Sequence, residues 1–117
     1  MLVSKEFSFD SAHFLTKYHG KCERLHGHTY RLRVTVEGAV QEDGLVVDFV
    51  ELKRLVKEKV VDRYDHQNLN DFFENPSAEL IAKQIWEDLA GEMLENAKLY
   101  EVILWETPDS FVSYRGS

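Results

Sequence analysis

One cysteine among 117 residues leaves this chain unable to form an internal disulfide, so nothing in it asks for an oxidising compartment. Positive charge is also scarce. Fourteen Lys and Arg stand against 21 Asp and Glu, for a formal net charge of −7. That balance excludes the basic stripe of a nucleic-acid-binding surface. No apolar run approaches the roughly 20 residues that cross a bilayer, so no membrane partner is expected. Residues 1–6 alternate like a strand and do not open the apolar stretch of a signal peptide. Repeats and low-complexity segments are missing too. What remains is 44% hydrophobic and 12% aromatic, too apolar for disorder. The expectation is one cytoplasmic domain, residues 1–117, with a core that needs no staples.

Periodicity orders the elements. Residues 2–9 alternate, with Val3, Phe7 and Phe9 on one face and Ser4, Glu6 and Ser8 on the other. Residues 29–37 alternate more cleanly, Tyr30, Leu32, Val34 and Val36 against Thr29, Arg31, Arg33, Thr35 and Glu37. Asp48 reads as a helix N-cap with Glu51 in capping-box position, and Phe49, Leu52, Leu55, Val56 and Val60 give residues 49–62 an apolar stripe. A second helix starts at Asn75-Pro76-Ser77 and runs to about residue 95, lined by Leu80, Ile81, Ile85, Leu89 and Met93. Strands follow over about 99–106 and 111–115, joined by the turn Thr107-Pro108-Asp109-Ser110. The order ββααββ predicts an α+β fold with a four-stranded antiparallel sheet and two helices on one face. So short a sheet exposes both edges, which predicts a homo-oligomer joined edge to edge.

Chemistry concentrates in a few residues. His26 and His28 lie two apart on a strand, so their side chains point the same way. His13 closes the preceding strand, and a hairpin pairing brings it beside them, with Gly27 keeping the doublet uncrowded. Three imidazoles suit zinc and leave a fourth position for water or substrate. Cys22, four residues before His26, is open to three readings: a fourth ligand, a buried structural thiol, or a catalytic base or nucleophile. Asp65-His66 can form a proton relay in which Asp65 sets the tautomer of His66, although sequence neighbours rarely bond ideally side chain to side chain. Cys22 of another chain could complete it. Glu106 ends an apolar strand, where a carboxylate needs a donor pair such as an arginine or the amino-pyrimidinone edge of a pterin or guanine. Lys17, Lys21 and Arg24 form a local cationic excess on an acidic chain, which suggests an anionic small molecule.

Taken in order, Phe9-Asp10-Ser11-Ala12-His13, Cys22-x₃-His26-Gly27-His28, Val47-Asp48-Phe49, Asp65-His66 with Leu69-Asn70, Asn75-Pro76-Ser77-Ala78-Glu79, Glu106-Thr107 and Tyr114-Arg115-Gly116 resemble the 6-pyruvoyl-tetrahydropterin synthase / 6-carboxy-tetrahydropterin synthase family. The resemblance spans essentially the whole chain and implies the tunnelling fold, assembled as hexamers of two stacked trimeric barrels. It also implies zinc on His13, His26 and His28, Cys22 as general base, Asp65 and His66 as relay, and Glu106 as anchor of the pterin ring. Ser77 keeps one of two hydroxyls of the family's Pro-Thr-Ser-Glu motif and is carried over as a substrate contact; Ala78 has lost the other. Lys17, Lys21 and Arg24 become the triphosphate contacts. The three-residue gap between Cys22 and His26 is similar to the branch that makes the queuosine and archaeosine precursor, whereas the biopterin enzyme has five. The implied reaction turns 7,8-dihydroneopterin triphosphate into 6-carboxy-tetrahydropterin, acetaldehyde and triphosphate.

Overall fold

Alternation of apolar and polar residues builds a sheet whose one face is sealed by helices. The computed structural model describes every residue except Tyr18, His19, Lys21, Cys22 and Met93. Strand β1 (Leu2–His13) and strand β2 (His26–Gly38) pair antiparallel along their whole length, with His13 opposite His26 and Ser11 opposite His28. Strand β4 (Ala97–Thr107) joins β2, and β5 (Ser110–Tyr114) joins β4. A fifth strand, β3 (Gln67–Asn68), pairs parallel with β1 at Ser11 and Ala12, so the order is β3-β1-β2-β4-β5 and the sheet is mixed. Two residues carry no readable period, which is why only four strands are expected from the sequence. The sheet is open, not closed on itself.

Helix α1 (Phe49–Val56) starts where the Asp48 carboxylate accepts the Val50 amide at 2.8 Å. It continues through a π turn, Lys57–Val61, into a last α turn, α2 (Asp62–Tyr64). Helix α3 (Ala78–Ala90) is capped by Ser77, whose hydroxyl accepts the Leu80 amide. Phe9, Tyr30, Leu32, Val34, Leu52, Val56, Val60, Tyr64, Ile81, Ile85, Leu89 and Leu104 fill the space between helices and sheet. Two residues of the expected stripes stay outside. Phe49, the first helical residue, is exposed beneath the Lys5 ammonium, and Leu80 is exposed beside Lys17. Met93 lies outside the described residues. Among the described residues no helix is long and apolar enough to cross a membrane.

Candidate metal centre and proton relay

Strand alternation alone sends His13, His26, His28 and Glu106 to the helix-covered face at one end of the sheet. Their positioning is completed by backbone carbonyls. His13 Nδ1 lies 2.8 Å from the Pro76 carbonyl and His26 Nδ1 2.7 Å from the Arg24 carbonyl. A carbonyl can only accept, so both Nδ1 atoms carry the proton, and in the neutral rings Nε2 is a bare lone pair. His13 Nε2 and His26 Nε2 then face each other at 3.2 Å. His28 Nε2 is buried with no hydrogen-bond partner among the described residues, and one nitrogen from each of the three rings lies within 4.8 Å of the others. Two acceptors facing each other, with a third imidazole beside them, suit a cation. The three histidines could hold a metal ion, and their donor set suits zinc.

Glu106 belongs to this cluster. It sits at a register shift between Trp105 and Thr107 in the β4–β5 pairing, and its Oε1 lies 3.2 Å from His13 Nε2 and 3.6 Å from His28 Nε2. Within this chain the carboxylate thus faces two imidazole nitrogens, not an arginine. The His13 contact, with help from His28, holds the Glu106 carboxyl below its ordinary range in spite of burial. Burial pushes the His13 imidazole down, but the Glu106 contact and the Pro76 carbonyl more than reverse it, and His13 titrates above its usual range. At His28 burial prevails and the shift is downward, with His13 and His26 opposing its charge and Glu106 favouring it. Tyr30 floors the site. Its ring stacks on Phe9 at 5.3 Å and stands edge-on to His28 at 5.6 Å, and its buried hydroxyl has no hydrogen-bond partner among the described residues. Burial, then the Glu106 charge, pushes that phenol up.

The relay pair is closer than sequence neighbours usually come. His66 Nδ1 lies 3.0 Å from Asp65 Oδ2, a contact reached because His66 adopts a left-handed φ of 58°. A non-glycine residue in that region is strained, and strain of this kind gathers at working sites. Strand β1 over-determines the turn. The Asp10 amide donates to Asp65 Oδ1 at 2.9 Å, the His66 amide donates to the Asp10 carbonyl at 2.6 Å, and the Ser11 hydroxyl donates to the Tyr64 carbonyl. The Asp10 amide, followed by His66, holds the Asp65 carboxyl below its ordinary range. Beside the relay, a cleft of about 520 Å³ is lined by His66, Asp10, Thr29, Gly27 and His28, and of the three cluster histidines it reaches His28 alone.

Not every expected site residue arrives there. Lys17 lines a separate groove with Phe73, Glu74, Leu80 and Lys83. Arg24 is exposed and contributes its carbonyl, and the Ser77 hydroxyl is engaged as a helix cap. Cys22 and Lys21 lie outside the described residues. Apart from the flanking histidines, a Cβ at Gly27 would meet the Ser11 carbonyl oxygen at an ordinary 3.7 Å. Asp10 stands in the Phe9–His13 block, but the sequence assigns it no role of its own. The one signal for it was an acidic residue inside a strand, where Asp is depleted.

A family model described as 6-pyruvoyl tetrahydropterin synthase matches residues 2–117. The chain is 38% identical over 139 residues to a 6-carboxy-5,6,7,8-tetrahydropterin synthase of Haemophilus influenzae, covering 97% of each chain. It is 43% identical over 106 residues to a 6-pyruvoyl tetrahydrobiopterin synthase of Dictyostelium discoideum, covering 86% of this chain and 77% of that one. Its backbone superposes on the Caenorhabditis elegans 6-pyruvoyl tetrahydropterin synthase with a TM-score of 0.90 at 32% identity, over 100% of this chain and 96% of the other.

Proposed function

The chain belongs to the 6-pyruvoyl tetrahydropterin synthase family, and from that premise we propose that it is a zinc enzyme converting 7,8-dihydroneopterin triphosphate to 6-carboxy-5,6,7,8-tetrahydropterin, acetaldehyde and triphosphate. The observation that carries the reading is the three-histidine cluster with Glu106 against it, beside the Asp65–His66 pair that hydrogen-bonds to the end of β1. Preference for the carboxy product rests on the three-residue gap between Cys22 and His26 and on the Haemophilus relative, matched over nearly its full length.

His13, His26 and His28 would hold the ion, which when bound acidifies a coordinated hydroxyl and stabilises negative charge on its oxygen. Asp65 accepts the Nδ1 proton of His66, which leaves Nε2 free to take and return a proton in the cleft. The Asp10 amide keeps Asp65 ionised and aimed. Cys22 serves as the general base, from this chain or a neighbouring one. Glu106 receives the parallel N–H donors of the pterin ring, with Ser77 as a further substrate contact. Lys17, Lys21 and Arg24 receive the triphosphate. Because the Lys17 groove is separate from this chain's own cleft, Lys17 would serve a neighbouring subunit's substrate, in keeping with a hexamer of two trimers.

Incubating the purified protein with 7,8-dihydroneopterin triphosphate tests the reaction, with the pterin identified by mass and acetaldehyde trapped. Release of acetaldehyde with 6-carboxy-tetrahydropterin is the expected result. Loss of triphosphate without acetaldehyde would instead favour the 6-pyruvoyl product, the reading supported by the Dictyostelium relative. Cys22→Ala should keep metal and assembly and lose turnover, whereas loss of metal and stability together would make the thiol a structural ligand.

A further inference from the structure

Four acceptor atoms from three strands surround the point where the imidazole lone pairs meet. The separations are 3.2 Å from His13 Nε2 to His26 Nε2, 3.2 Å from His13 Nε2 to Glu106 Oε1, and 3.6 Å from His28 Nε2 to Glu106 Oε1. Tetrahedral bonds of 2.0–2.1 Å place neighbouring ligand atoms about 3.3 Å apart. The Glu106 oxygen therefore stands from two of the histidines at the distance of a fourth vertex. We propose that Glu106 is the resident fourth ligand of the metal when no substrate is bound, and that an arriving pterin ring draws this carboxylate away and opens the coordination position. The proposal rests on the reading of the histidines as a metal site given above and deepens it.

The chemistry favours this arrangement. A dication on three neutral imidazoles in a half-buried pocket keeps its full charge, and a carboxylate in the first shell halves it. The same carboxylate is the group that two parallel ring N–H donors would seek, and the oxygen that accepts a ring proton cannot also hold the ion in its present pose. Ring binding and opening of the metal then become one exchange. The ion is reactive only when substrate is there to displace Glu106, and water finds no vacant vertex between turnovers.

Cobalt(II) loaded into the metal-depleted full-length protein reports the exchange, because its visible ligand-field spectrum follows ligand number and type. Glu106→Gln should weaken cobalt and zinc binding about 10- to 100-fold in chelator competition and alter the cobalt spectrum. Unsubstituted pterin, which carries the donor pair but no side-chain hydroxyl, should shift the wild-type spectrum toward that of the variant. Equal metal affinity and equal spectra in the two proteins, with pterin leaving the wild-type spectrum unmoved, would overturn the inference while leaving the reaction intact. Failure of the wild-type protein to take up either metal would overturn the metal reading itself. Should E106Q not assemble, Glu106→Asp retains the charge on a shorter arm and is read by the same spectra and affinities.

Discussion

Tyr30 shows how closely single atoms are counted in this site. Its hydroxyl is fully buried and has no hydrogen-bond partner among the described residues, so it keeps a desolvation cost that none of them returns. Tyr30→Phe should accordingly raise stability, by about 1 kcal/mol on urea denaturation. Asp65 provides the opposite case, a carboxylate held below its ordinary range by the Asp10 amide and by His66. A depressed carboxyl stabilises the fold above its unfolded value, near pH 4, and the benefit is lost as pH falls through the folded value. The Tm difference between wild type and Asp65→Asn should therefore be constant near neutrality and close below about pH 4. At this scale the three imidazoles were legible because strand alternation fixes where a side chain points. Glu106 was recognisable as a costly carboxylate, but not its partners, since those depend on which strand ends meet. The Pro76 and Arg24 carbonyls that set the tautomers carry no side-chain signature at all.

Among the elements, the first helix departs most from what periodicity suggests. Its buried residues Leu52, Val56, Val60 and Tyr64 recur every four positions, and in a pure α-helix such a row drifts by about 40° at each step. The π turn Lys57–Val61, in which the Asp62 amide reaches back five residues to the Lys57 carbonyl, winds more slowly and takes back part of that drift. It holds one residue more than an α turn. Deleting the exposed Glu58 should therefore restore a regular helix and leave Tyr64, Asp65 and His66 against β1. Deleting Arg54, within the regular α segment, has no such slack and should unfold the protein at a markedly lower temperature by circular dichroism. The helix itself was readable from its apolar stripe, as was the cap at Asp48. The π turn was not, because a four-residue repeat fits an α-helix over any two steps and fails only over three.

The whole molecule has a shape that suits a subunit more than a monomer. Its extents are 53 × 25 × 25 Å and its radius of gyration is 15.0 Å, against about 13 Å for a compact chain of this length. The outer edge of β1 is paired only at Ser11 and Ala12, the outer edge of β5 has no partner among the described residues, and Phe111 on β5 is 57% exposed. Phe111→Lys should shift the protein to smaller species in size-exclusion chromatography with light scattering and leave its secondary structure intact. Element order and fold class were legible from periodicity and turns, whereas edge pairing between copies leaves no period to read. The length of the sheet has a practical consequence as well. Strand β1 runs 12 residues, about 40 Å, from the Met1 end to His13, and the Met1 ammonium donates to the Gly38 carbonyl at 3.0 Å. A tether or fusion carrier joined ahead of Met1 keeps an N–H for that bond and leaves the reactive rim unobstructed, so the amino end is the natural point for anchoring this protein to a support.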